Sequence, residues 1–125
     1  MIATDTSSLV AYLSGAHGPD VNLVDEALTN QTLFLPPMVL TEILSDPKLD
    51  SLTRQFLSGL PLLEIKEGFW ERAGMLRLKV MAKGLKARLG DALIAQCCLD
   101  HKFALITRDK DFRHFQKWGH LQLAQ

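Results

Sequence analysis

The sequence holds only two cysteines, and they are adjacent, Cys97 and Cys98. Neighbouring cysteines rarely bridge, and no C-x-x-C pair is present to grip zinc. Set in the apolar run ALIAQCCL, they read as two small buried hydrophobes in a reducing compartment. No apolar run approaches the ~20 residues that span a bilayer. Pro36-Pro37, Gln96 and scattered charges interrupt the longest ones. The opening MIATDTSS has neither a basic region nor an apolar core, so no secretory signal is expected and the cytoplasm is the expected address. Net charge is missing too, because 14 basic residues balance 14 acidic ones.

Several catalytic signatures are absent as well. There is no G-x-G-x-x-G after a strand and no G-x-x-x-x-G-K-[ST], which excludes the common dinucleotide and P-loop sites. No G-x-S-x-G elbow and no H-E-x-x-H motif occur. The four histidines, His17, His101, His114 and His120, are scattered and read as surface residues.

What is present fits one α/β domain over residues 1–125. A chain of this length buries about two-thirds of its unfolded surface, enough for a real core. Hydrophobic residues at 47% and charged residues at 22% exclude disorder and a coiled-coil rod. The balanced charge hides an asymmetry: residues 1–65 carry two bases and eight acids, residues 66–125 twelve bases and six acids. A basic half points to a phosphate-rich partner.

Short apolar runs alternate with helical patterns. MIAT reads as a strand entering a helix at Ser7–Leu13, and a second helix is expected over Asp20–Leu28. A strand at Thr32–Leu35 precedes helices at Pro37–Ser45 and Leu49–Ser58, and Leu62–Ile65 reads as a strand. Phe69, Ala73, Leu76 and Val80 share one face of the longest helix, Glu67 to about Lys83. A helix over Leu89–Asp100 and strands at Phe103–Thr107 and Leu121–Leu123 complete a mostly parallel central sheet flanked by helices.

The acids stand in unusual places. Asp5 and Asp109 each follow a strand, at the edge where parallel sheets bind ligands. Glu42 lies in the apolar context PPMVLTEILS, and Asp91 opens the helix that carries ALIAQCCL. Each has a plainer reading as a cap, a solvated turn or an exposed glutamate. Gathered together, they would repel one another unless a cation sat among them, and oxygen-only donors suit Mg²⁺, with Mn²⁺ as a substitute.

MIATDTSSL, TEIL, ARLGDALIAQ and ALITRDKDF resemble, in this order and over essentially the whole chain, the PIN-domain nucleases, above all the VapC-type toxins of toxin–antitoxin pairs. The resemblance implies a PIN-like fold and a Mg²⁺-dependent endoribonuclease. Its acids fall on Asp5, Glu42, Asp91 and Asp109, with Asp111 an alternative for the fourth. Thr6, Ser7 and Thr107 match supporting hydroxyl positions, and Arg88 is placed to meet a substrate phosphate. The resemblance also implies a homodimer and an antitoxin protein as partners, besides RNA.

Arg72, Lys79, Lys83 and Lys86 would form a stripe within about 60° on the long helix, provided that it reaches Lys86. Such a stripe would clamp an RNA backbone. Trp70 and Trp118 either stack on bases or pack in the core or a dimer contact. Two other functions compete: a non-catalytic or housekeeping RNA-binding PIN domain, and an aspartyl phosphatase. The phosphatase normally needs a second Asp two residues after the first, where this chain has Ser7.

Overall fold

The computed structural model describes residues 1–124, in which short strands alternate with helices. Strand β1 (Ile2–Thr4) runs into helix α1 (Thr6–Leu13). Helix α2 (Pro19–Thr29) leads to β2 (Leu33–Phe34), then to α3 (Pro37–Leu44) and α4 (Ser51–Ser58). The second half holds α5 (Phe69–Met81), α6 (Leu89–His101), β3 (Ala104–Ile106) and α7 (Phe112–Gly119).

The strands lie in the order β2-β1-β3, all parallel, with Ile2 opposite both Leu33 and Ala104 and Thr4 opposite Ile106. Parallel direction sends Asp5, after β1, and Thr107 to Asp109, after β3, to the same edge of the sheet. The Asp5 N–H donates to the Ile106 carbonyl at 3.0 Å, which ties the two strand ends together there. The N-terminus of α1 opens at this edge, directly after Asp5.

One core runs from Leu9 and Val24 through Leu105 and Ile106 to Phe112 and Phe115. Helix α6 packs against α3, α5, α7 and β3 and buries Ala92, Ile94, Ala95, Cys97 and Cys98. A helix enclosed on so many sides needs small apolar residues around most of its circumference, which is how ALIAQCC reads. Burial pushes the Cys97 thiol up to about 12, so it stays protonated.

Four sequence expectations change. The expected strands at Leu62–Ile65 and Leu121–Leu123 reduce to single parallel bridges, Leu35 to Leu62 and Leu105 to Leu123. At the first, Pro61 brings no N–H to a ladder, and residues 63–66 take no regular structure. The long helix starts at Phe69 rather than Glu67, because Gly68 caps it in a left-handed conformation. It also stops at Met81, followed by Gly84 at φ +75°. Lys83 and Lys86 are therefore off the helix, and the four-residue basic stripe does not exist as a helix face. Finally, α7 was not anticipated: its two buried rings, Phe112 and Phe115, sit in a basic and polar stretch. Among the described residues no helix is long and apolar enough to cross a membrane.

Candidate active site

Asp5 is 3% exposed and directly follows β1. Its Oδ1 accepts the Ser8 N–H at 3.0 Å, so it caps α1 as its position suggests. Oδ2 accepts from Thr107 Oγ1 at 2.6 Å, and Ser7 Oγ donates to both oxygens, at 3.0 and 2.8 Å. Burial raises its pKa above the usual carboxylate range, against the pull of these donors, and the charge of Asp109 adds to the rise. Capping and membership of an acidic site are thus compatible here.

Asp91 lies in the first turn of α6, with Arg88 at the N-cap. Its Oδ2 is buried and, among the described residues, has no hydrogen-bond partner. Burial is the main cause that pushes its pKa up to about 6; Asp109, Asp5 and Glu42 add to the rise, and Arg88 opposes it. The charges of Asp109, Asp5 and Glu42 all reach Asp91, but of the four sequence-predicted acids only Asp91 and Asp109 belong to the close oxygen cluster. Asp91, Asp109 and Asp111 each offer an oxygen within 4.8 Å of the others. Asp109 and Asp111 stand side by side instead of competing for one position. The Asp111 N–H donates to Asp109 Oδ1 at 2.9 Å, and the Asp109 N–H donates to Thr107 Oγ1 at 3.0 Å. Glu42 is exposed on α3, and its Oε1 accepts from Thr6 Oγ1 at 2.8 Å.

These residues fit a divalent cation. A buried carboxylate oxygen without a donor is costly unless something positive meets it. The donors are carboxylate and hydroxyl oxygens without thiolate or imidazole, the set that hard Mg²⁺ or Mn²⁺ prefers.

The basic residues divide. Arg72 is held by Asp100, with Nε to Oδ1 at 3.0 Å and Nη2 to Oδ2 at 2.6 Å, and it also donates to the Glu67 carbonyl at 2.8 Å. Lys83 lies 4.4 Å from the Trp118 ring centroid, which covers a face that a base would need. Trp70 is exposed and packs edge-on against Phe69. The Lys86 ammonium is 3.7 Å from Asp111, and Arg88 is exposed at the mouth of the acid cluster. Lys79 is exposed on α5.

Sequence reasoning passed over Ser8, Asp20 and Arg108. Ser8 Oγ donates to Asp20 Oδ2 at 2.8 Å, and Arg108 Nε donates to the same oxygen at 2.8 Å. The Arg108 hydrogen bond is the chief cause that holds the Asp20 carboxyl down to about 2. The only signal in the chain was that Arg108 sits between Thr107 and Asp109.

Comparison with known proteins follows the same lines. The VapBC2 complex of Rickettsia felis, solved on a DNA fragment from its promoter, is 24% identical with a TM-score of 0.73 and covers 99% of this chain and 98% of that chain. A toxin–antitoxin complex from Klebsiella pneumoniae is 25% identical with a TM-score of 0.67 and covers 90% of each chain. FitAcB from Neisseria gonorrhoeae is 18% identical with a TM-score of 0.74, covering 100% of this chain and 97% of that one. No curated protein matches. Residues 2–117 match the family model described as the PIN domain, and with nearly the whole chain matched, this protein belongs to the PIN-domain family.

Proposed function

We propose that this protein is a Mg²⁺-dependent endoribonuclease, the toxin of a toxin–antitoxin pair acting in the cytoplasm. The observation that carries the reading is the buried Asp91 Oδ2, without a hydrogen-bond partner among the described residues and under the charges of Asp109, Asp5 and Glu42. Asp91, Asp109 and Asp111, whose oxygens converge, would hold the cation, with Asp5 and Glu42 adding charge directly or through water. When bound, Mg²⁺ lowers the pKa of a water and neutralises charge on the scissile phosphate.

The chain's own residues supply the rest. Ser7, Ser8 and Thr107 fix both oxygens of Asp5, so that its carboxylate is oriented before substrate arrives. Thr6 holds Glu42 toward the same mouth. Arg88, exposed beside Asp91, meets a substrate phosphate, and Lys86 extends the positive rim along the RNA backbone. In-line attack by water expels the ribose 3′ oxygen and leaves a 5′-phosphate, so no side-chain nucleophile is needed.

Two partners belong to the reading. The similar Klebsiella structure is a toxin–antitoxin complex, and a cognate antitoxin is proposed here by that likeness. A homodimer is supported by α5, whose outer face exposes Trp70, Met75, Leu78 and Met81. Glu71 and Lys79 stand four residues on either side of Met75, so two antiparallel copies of α5 would pair opposite charges.

The deciding test is incubation of purified protein with single-stranded RNA in Mg²⁺ or EDTA, with mapping of product ends. Cleavage in Mg²⁺ alone, 5′-phosphate ends and no cleavage by Asp91→Asn are expected. Equal cleavage in EDTA, or by the variant, overturns the reading.

A further inference from the structure

We propose that Asp20 and Arg108 form a positioning clamp that sets where Asp5 and Asp109 stand relative to each other. The inference rests on the nuclease-site reading and extends it to two residues that are not candidate metal ligands.

The clamp joins both sides of the site at one carboxylate. Arg108 grips Asp20 through Nε to Oδ2 at 2.8 Å and Nη2 to Oδ1 at 3.1 Å, and Nη2 also donates to the His17 carbonyl at 3.1 Å. Asp20 Oδ2 accepts from Ser8 Oγ as well, at 2.8 Å. Ser8 is fully buried, and its N–H is the donor to Asp5 Oδ1. On the other side, Arg108 lies between Thr107, the donor to Asp5 Oδ2, and Asp109. Asp20 is thus one step from Asp5 through Ser8, and one step from the segment carrying Asp109 through Arg108.

That segment follows β3 without regular structure of its own. A planar guanidinium fixed at two points restrains direction as well as distance, which a lone ammonium does not. The turn before α2 is shaped around the pair. Gly18 has φ +149°, and a Cβ there would come within 2.7 Å of Asp20 Oδ1 and 3.1 Å of Arg108 Nη2. The side chain of Asp20 is 12% exposed, and that of Arg108 is 39% exposed. Groups hydrogen-bonded directly to metal ligands change metal affinity by about 10–100-fold when removed; Asp20 and Arg108 stand one group further out, which puts the expected effect at the low end of that range.

The test compares the parent with Asp20→Asn, Arg108→Gln, Arg108→Lys and the Asp20→Asn/Arg108→Gln double variant. Mn²⁺ affinity is read from the electron paramagnetic resonance of free Mn²⁺, at a temperature where circular dichroism shows each variant folded. Each single variant should bind Mn²⁺ about 10-fold more weakly. The double variant should be no worse than the weaker single, because the two residues act as a unit. Arg108→Lys keeps the charge without the fork and should recover little. If Arg108→Gln does not fold, Asp20→Asn, which preserves shape, carries the test with Arg108→Lys. Parent-like Mn²⁺ affinity in Asp20→Asn, even with a lowered melting temperature, overturns the clamp alone and leaves a merely structural pair. Full affinity in Arg108→Lys overturns it too. A parent that binds no Mn²⁺ overturns the nuclease-site reading itself.

Discussion

Thr107 Oγ1 donates to Asp5 Oδ2 at 2.6 Å, across 102 residues of sequence. The bond joins the ends of two neighbouring parallel strands and supplies a buried carboxylate with a donor it cannot obtain from water. Thr107→Val keeps the shape and removes that donor. It should lower stability by about 1–2 kcal/mol in the presence of EDTA, since hydrogen bonds to charged groups are among the stronger ones. Thr107→Ser should restore most of it. Thermal melts of the three proteins check this, and equal melting temperatures would show that Ser7 and Ser8 suffice.

Asp91 should behave oppositely. Its charge is crowded by Asp109, Asp5 and Glu42, and its Oδ2 has no donor among the described residues. Asp91→Asn should leave the metal-free protein as stable as the parent or more stable, while cleavage is lost. Mg²⁺ should raise the melting temperature of the parent, because it binds only the folded state, and that gain should shrink in Asp91→Asn. Asp5→Asn should also abolish cleavage. Melts of each protein with Mg²⁺ and with EDTA distinguish this from simple capping, whose loss destabilises equally in both conditions by ~1 kcal/mol.

The Asp20–Arg108 pair has a signature in acid. The Asp20 carboxyl titrates near 2 in the folded protein and near 3.8 when unfolded. A depressed folded pKa means that the unfolded chain takes up the proton first as pH falls. The stabilisation is therefore complete above about pH 4 and lost between about 4 and 2. With Arg108 open to solvent, the difference should be small. Urea unfolding of parent and Asp20→Asn should differ by that small amount at pH 6 and converge near pH 2. A constant difference across this range would rule out the ion pair as its source.

The basic residues should separate into two groups. Arg72 is committed to Asp100, so Arg72→Gln should lower stability and leave the salt dependence of RNA binding unchanged. Lys86→Gln and Arg88→Gln should each weaken RNA binding and reduce the salt slope by about 1. Binding titrations on an RNA oligonucleotide, using an Asp91→Asn background to prevent cleavage, give both slopes. A slope moved by Arg72 and untouched by Arg88 would reverse the assignment.

The outer face of α5 makes the last prediction. Met75→Glu should turn a dimer into a monomer at micromolar concentrations, because it places a charge where two copies would meet. Sedimentation velocity reads the mass directly. A parent that is already monomeric would leave that apolar face without a second copy to cover it.

How far the chain could be read follows from how local each feature is. Helix and strand positions depended on neighbours a few residues apart, so Phe69, Ala73, Leu76 and Val80 marked their buried face from spacing alone. Asp5, Asp91 and Asp109 stood out because a strand end or a helix start lies next to each in sequence. The failures were at boundaries and edges. Gly68 and Gly84 trimmed α5 at both ends, which removed the basic stripe. Helix α7 hid because two rings three residues apart are too small a signal among charges.

The sequence by itself determined the α/β alternation, the parallel sheet and the presence of acids at strand ends, since each is encoded within a short window. Tertiary structure alone decided which groups meet. Arg72 meets Asp100 28 residues away, and Arg108 meets Asp20 88 residues away. It also placed Asp111 beside Asp109 and Asp91, and it left Asp91 Oδ2 without a donor among the described residues. The reason is physical: hydrogen-bond partners and desolvation depend on what packing brings within about 3 Å and what water it removes, and neither is a property of the neighbouring residues.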